Sequence, residues 1–110
     1  MTDLLARHCQ PCEGGKPLAA EQIQTLLPEA EGWALDPSNE SIWRKYSFKN
    51  FYETMAFVNA VAWVADRENH HPELEVSYRF CRVRYSTHAV GGLSENDFIS
   101  AAKVNQLLAA

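Results

Sequence analysis

At 110 residues, with 46% hydrophobic content and a net charge of -4, the chain is large enough for one compact core and too short for two ordinary domains. Its basic residues are scattered and leave no electrostatic footprint for a phosphate backbone, which argues against nucleic acid as a direct partner. No apolar run approaches the roughly 20 residues that span a bilayer, and three cysteines with no signal-like N-terminus point to a reducing compartment, by default the cytoplasm.

Residues 1–17 carry Cys9, Cys12, Gly14-Gly15 and two prolines without a sustained period, and read as a weakly ordered arm; a single domain is expected over 18–110. Ile23, Leu26 and Leu27 have helical spacing, and Pro28 is expected to close that helix. Residues 32–35 and 41–48 are β-prone runs around the turn-like segment Asp36-Pro37-Ser38-Asn39-Glu40, which predicts a hairpin. Asn50 followed by Glu53 resembles a capping box, and Phe51, Met55, Phe57, Val58, Val61, Ala62 and Ala65 then form a broad apolar face, so the main helix is placed over 51–68.

Residues 74–78 and 82–87 alternate apolar and polar side chains and predict a second strand pair. Ser94, with Asp97 three residues on, starts a last helix carrying Phe98, Ile99, Ala101, Ala102, Val104, Leu107 and Leu108. The order α-β-β-α-β-β-α favours an α+β fold, a four-stranded antiparallel sheet with helices packed on one face.

Three of the four histidines fall within residues 70–88, and histidine is the side chain whose unperturbed pKa of roughly 6.5 suits it to give and take protons near neutrality. His70 and His71 precede Pro72, which must stop a helix arriving from the N-terminal side, while His88 lies where Ser86-Thr87-His88 leaves a strand. Two element ends could therefore share one cleft. Zinc is a second reading of His70, His71, His88 and Asp97, disfavoured because adjacent histidines point in divergent directions. Cys81 in mid-strand gives little support to a Cys-His nucleophile, and His8-Cys9-Gln10-Pro11-Cys12 has the spacing of only half a zinc knuckle. Trp33, Trp43 and Trp63 read mainly as core or interface anchors; of the three only Trp33, preceded by a glycine at a strand start, is also a candidate to face a planar ligand.

Asp66-x-x-x-His70-His71-Pro72, Tyr78, His88 and Asp97, in that spacing, resemble the signature of the pterin-4a-carbinolamine dehydratases. Looser similarity runs through Gly32-Trp33, Tyr46-x-Phe48-Lys49-Asn50-Phe51 and Gly92-Leu93-Ser94-x-x-Asp97, so the resemblance covers residues 18–108; Leu74 departs from the Trp that animal members tend to carry.

The resemblance implies an α+β domain assembling into homodimers or homotetramers, with no metal and no organic cofactor. The implied reaction is loss of water from 4a-hydroxytetrahydropterin to give quinonoid dihydropterin. Dihydropteridine reductase would return that product to tetrahydropterin for phenylalanine hydroxylase. It assigns His70 and His88 as the acid-base pair and His71 as a contact to the pterin ring, with Pro72, Ser86, Thr87, Asp97 and Trp33 as further substrate-binding positions. Asp97 would orient an imidazole or bind a pterin nitrogen. The alternative is a dimerisation module, resembling a transcriptional coactivator, with a vestigial pocket.

Overall fold

The computed structural model describes residues 3–11 and 15–109. Helix α1 (Ala20–Leu26) leads through a short 3-10 turn, Leu27–Glu29, to strands β1 (Ala34–Leu35) and β2 (Ile42–Ser47). Helix α2 (Phe51–Glu68), strands β3 (Glu73–Val76) and β4 (Phe80–Tyr85) and helix α3 (Glu95–Gln106) follow. The four strands form one antiparallel sheet in the order β1-β2-β4-β3. The α+β arrangement expected from the sequence is the one found.

Alternation decides which face of the sheet is covered. Ile42, Tyr46, Cys81, Val83 and Tyr85 point inward and are buried with Phe57, Val61 and Val64 of α2 and with Phe98, Ile99, Ala101 and Val104 of α3. Trp43, Lys45, Arg82 and Arg84 occupy the opposite face, where the Arg82 guanidinium lies 5.1 Å from the centre of the Trp43 ring.

Helix α2 begins as its sequence predicts, with Asn50 accepting the Glu53 N–H at 2.8 Å. Its end differs in cause. The stop is Asn69, in the left-handed conformation at φ 50°, so the helix closes ahead of the residue that Pro72 restricts. Pro28 likewise does not terminate the first helical segment but sits in the first turn of the 3-10 extension, where its missing N–H costs nothing. The second hairpin turns earlier than its sequence suggests. Ser77 N–H bonds Phe80 C=O, which puts Tyr78 in the turn and starts β4 at Phe80.

Trp33 corrects an expectation. Its indole is buried, edge-on to Tyr46 and tilted against Tyr85, and Nε1 donates to Asn105 Oδ1 at 2.9 Å, so it is a core residue. Asn105 Oδ1 also receives Arg44 Nη1 at 2.9 Å and the Tyr46 hydroxyl, while its Nδ2 donates to Glu31 C=O. Gly32, at φ +83°, lets the Arg44 guanidinium cross the chain where a Cβ would stand 2.7 Å away. Asn105→Ala leaves three donors without this acceptor. We expect a loss of about 2–3 kcal/mol in urea unfolding with an unchanged m-value.

The sequence reads residues 1–17 as weakly ordered, whereas the described part of that arm is packed on the helices. Leu4 is buried in the core, and Glu68 at the end of α2 receives Cys9 N–H at 2.8 Å, His8 Nδ1 at 3.0 Å and Lys103 Nζ at 2.7 Å. Cys12 lies outside the described residues. Burial alone would raise the Glu68 pKa, but the donors from Lys103, Cys9 and His8 outweigh it and hold the carboxyl down to about 2. A depressed carboxylate stabilises the fold fully above its usual value near 4.5, and that contribution fades as pH falls toward the folded value. Between pH 5 and pH 2 the protein should therefore lose about 3 kcal/mol that Glu68→Gln does not lose, as read by denaturant titrations across that range.

Candidate active site

The His70–Asp97 pair joins the end of α2 to the start of α3. Asn69 turns the chain out of the helix, and His70 N–H still reaches Ala65 C=O at 3.2 Å, which fixes the backbone from which the ring projects. On α3, Ser94 is the N-cap and Asp97 its capping-box partner, accepting the Ser94 N–H at 3.0 Å. The same Oδ2 receives the Thr87 hydroxyl at 2.8 Å, and Thr87 Oγ1 lies 2.7 Å from Ser94 Oγ. Oδ1 faces His70 Nε2 at 2.6 Å.

Asp97 is fully buried and His70 is 12% exposed, so the contact is shielded from water, where a charge-assisted hydrogen bond is strongest. With Oδ2 already taking two donors, the carboxylate acts as acceptor at Oδ1 too, which assigns a hydrogen to His70 Nε2; in the neutral ring the lone pair is then on Nδ1. Tyr85 of β4 lies nearly parallel to the imidazole, 10° between planes and 5.5 Å between centres.

The structure thus brings His70, Thr87 and Asp97 into one bonded network with Ser94 as a further member, and packs Tyr85 against the imidazole; neither Ser94 nor Tyr85 is nominated as a site residue from the sequence. The signals were local. Ser94 is a helix cap, and Tyr85 falls on the inward alternation of its strand. Thr87 and Asp97 are buried behind His70 with their side-chain polar atoms occupied by one another, by Ser94 and by the imidazole. His71, Ser86 and His88 are exposed and Pro72 is half-buried; they flank His70 and Thr87 along the chain.

A cavity of about 490 Å³ lies elsewhere, between the arm and the two long helices, lined by Leu5, His8, Trp63, Arg67, Glu68 and Lys103 among others. It contains none of the three clustered histidines. Among the described residues no three His, Cys, Asp or Glu side chains converge in a way that could hold a metal ion. Burial pushes the thiols of Cys9 and Cys81 up to about 11, so neither is a ready thiolate nucleophile at neutral pH. No helix of the described residues is long and apolar enough to cross a membrane.

A one-sided α+β sheet domain that carries a buried carboxylate against an imidazole at its rim has the equipment for proton transfer. The chain belongs to the pterin 4 alpha carbinolamine dehydratase family, whose model matches residues 16–107. A protein of Legionella pneumophila strain Corby, provisionally named a pterin-4-alpha-carbinolamine dehydratase, is 57% identical over 109 residues, covering 97% of this chain and 96% of its own. A Nitrosomonas eutropha protein with the same provisional name is 59% identical over 108 residues, covering 96% and 94%. The crystal structure of a chain from Brucella melitensis, described as a transcriptional coactivator/pterin dehydratase, superposes with a TM-score of 0.80 at 29% identity, covering 86% of this chain and all of that one.

Proposed function

We propose that the protein dehydrates 4a-hydroxytetrahydropterin to quinonoid dihydropterin by imidazole acid-base catalysis. The observation that supports this reading is the hydrogen bond between His70 Nε2 and the buried Asp97, which in the neutral imidazole makes Nδ1 the proton acceptor. The C4a–O bond breaks with its electron pair going to oxygen, which takes a proton from His88 and leaves as water. The adjacent ring nitrogen forms the new C=N bond, and its proton passes to His70 Nδ1. His71, exposed beside His70, contacts the pterin ring and its hydroxyl.

Hydroxide is a poor leaving group unless it is protonated as it departs, and each positioned acid or base contributes about 10²- to 10⁴-fold. No metal enters this scheme. The product would be reduced by dihydropteridine reductase and returned to phenylalanine hydroxylase or a similar enzyme. A reducing compartment such as the cytoplasm fits the free thiols of Cys9 and Cys81, and the family resemblance implies a homodimer or homotetramer as the active species.

The direct test is an assay of 4a-hydroxytetrahydropterin dehydration with and without chelator. We expect acceleration that chelation leaves unchanged, and a fall of about 10²-fold or more in His88→Ala. Absence of acceleration by the purified wild type, together with a stoichiometric protein partner in a pull-down, would favour the coactivator-like reading instead.

A further inference from the structure

His8-Cys9-Gln10, outside the segment that the family model matches, ties together the two helices that carry the candidate pair. At one end, Glu68 takes Cys9 N–H on Oε1 and His8 Nδ1 on Oε2, and Glu68 stands two residues before His70. At the other end, Asn96 Oδ1 accepts Gln10 N–H at 3.0 Å while Asn96 Nδ2 donates to Gln10 C=O at 2.7 Å; Asn96 immediately precedes Asp97. Between them the Cys9 thiol lies 3.5 Å from Ser100 Oγ and 3.6 Å from Asn96 C=O. Lys103 of α3 closes the first end by donating to Glu68 Oε2.

We propose that residues 8–10 are a brace that fixes the end of α2 against the first turns of α3 and thereby holds His70 Nε2 at Asp97. Glu68 and Asn96 are its positioning residues, acting through the pair and not on substrate. A 2.6 Å contact between shielded groups is sensitive to small displacements of either helix, and misplacement of a reacting group by about 1 Å can cost on the order of 10²-fold in rate. The rival account makes the arm a stabilising strap through buried Leu4 alone. The proposal rests on reading His70 as a reacting group held by Asp97, but its first readout does not depend on activity.

The test uses full-length Asn96→Ala, Glu68→Gln, the double variant and Leu4→Ala. The His70 Nε2–H proton is followed by NMR, assigned by its loss in His70→Ala, and kcat, KM and Tm are measured in parallel. We expect that proton to move upfield and exchange faster in Asn96→Ala and Glu68→Gln. kcat should fall roughly tenfold with KM within about twofold, and the double variant should be less than multiplicative because both changes release one brace. Leu4→Ala should lower Tm while leaving the His70 proton in place. An unmoved proton in both positioning variants, or the same displacement in Leu4→Ala, would overturn the brace. A displaced proton with unchanged kcat would leave the brace standing and remove His70 from the chemistry.

Discussion

His70→Ala should reduce the dehydration rate by about 10²- to 10⁴-fold at saturating substrate while the protein stays folded. The two halves of that expectation have separate causes. The ring is largely covered above Tyr85 but 12% exposed, so its removal leaves a gap that opens to the surface and that water can enter. Asp97 loses one donor and keeps Thr87 Oγ1–H and Ser94 N–H on its other oxygen, so the stability cost is that of one charge-assisted bond, about 1.5–3 kcal/mol. Circular dichroism and urea unfolding check the fold, and the carbinolamine assay checks the rate. A folded variant with near wild-type rate would remove His70 from the mechanism.

What the sequence makes legible follows from periodicity, and what it hides follows from contacts between distant segments. Asn50 at the N-cap and the apolar positions from Phe51 to Ala65 place α2 correctly, because a helix of that length is set by its own local pattern. The sheet follows for the same reason. Trp33, by contrast, is removed from the surface by Asn105, 72 residues away, and no local pattern announces that acceptor.

The arm shows the same limit. Its bonds run largely from backbone groups of Cys9 and Gln10 to side chains on α2 and α3, which leaves no spacing to read. His70 and Asp97 could each be nominated from sequence, but their 2.6 Å contact depends on the left-handed turn at Asn69 and the capping of α3 by Ser94. The structure therefore separates the exposed candidates, His71, Ser86 and His88, from Thr87 and Asp97, which are buried.

Asp97→Asn isolates that supporting role, because the amide has nearly the shape of the carboxylate and can be satisfied in two ways with opposite consequences. With its oxygen toward His70, the amide would keep the Nε2–H hydrogen but turn its NH₂ toward the Ser94 N–H, leaving a buried donor facing a donor at a cost of about 1–3 kcal/mol. With its NH₂ toward His70, the oxygen still accepts from Ser94 and Thr87, and every buried group is paired once the imidazole hydrogen moves from Nε2 to Nδ1. The second arrangement is cheaper for the fold and, under the proposed mechanism, ruinous for the chemistry, since Nδ1 becomes a donor. Stability should therefore stay within about 1 kcal/mol of wild type while the dehydration rate falls on the order of 10²- to 10⁴-fold, as expected when the supporting carboxylate no longer sets the tautomer. Imidazole nitrogen shifts should report the hydrogen on Nδ1. Nε2–H retained together with full activity would show that the carboxylate does not govern the proton on His70.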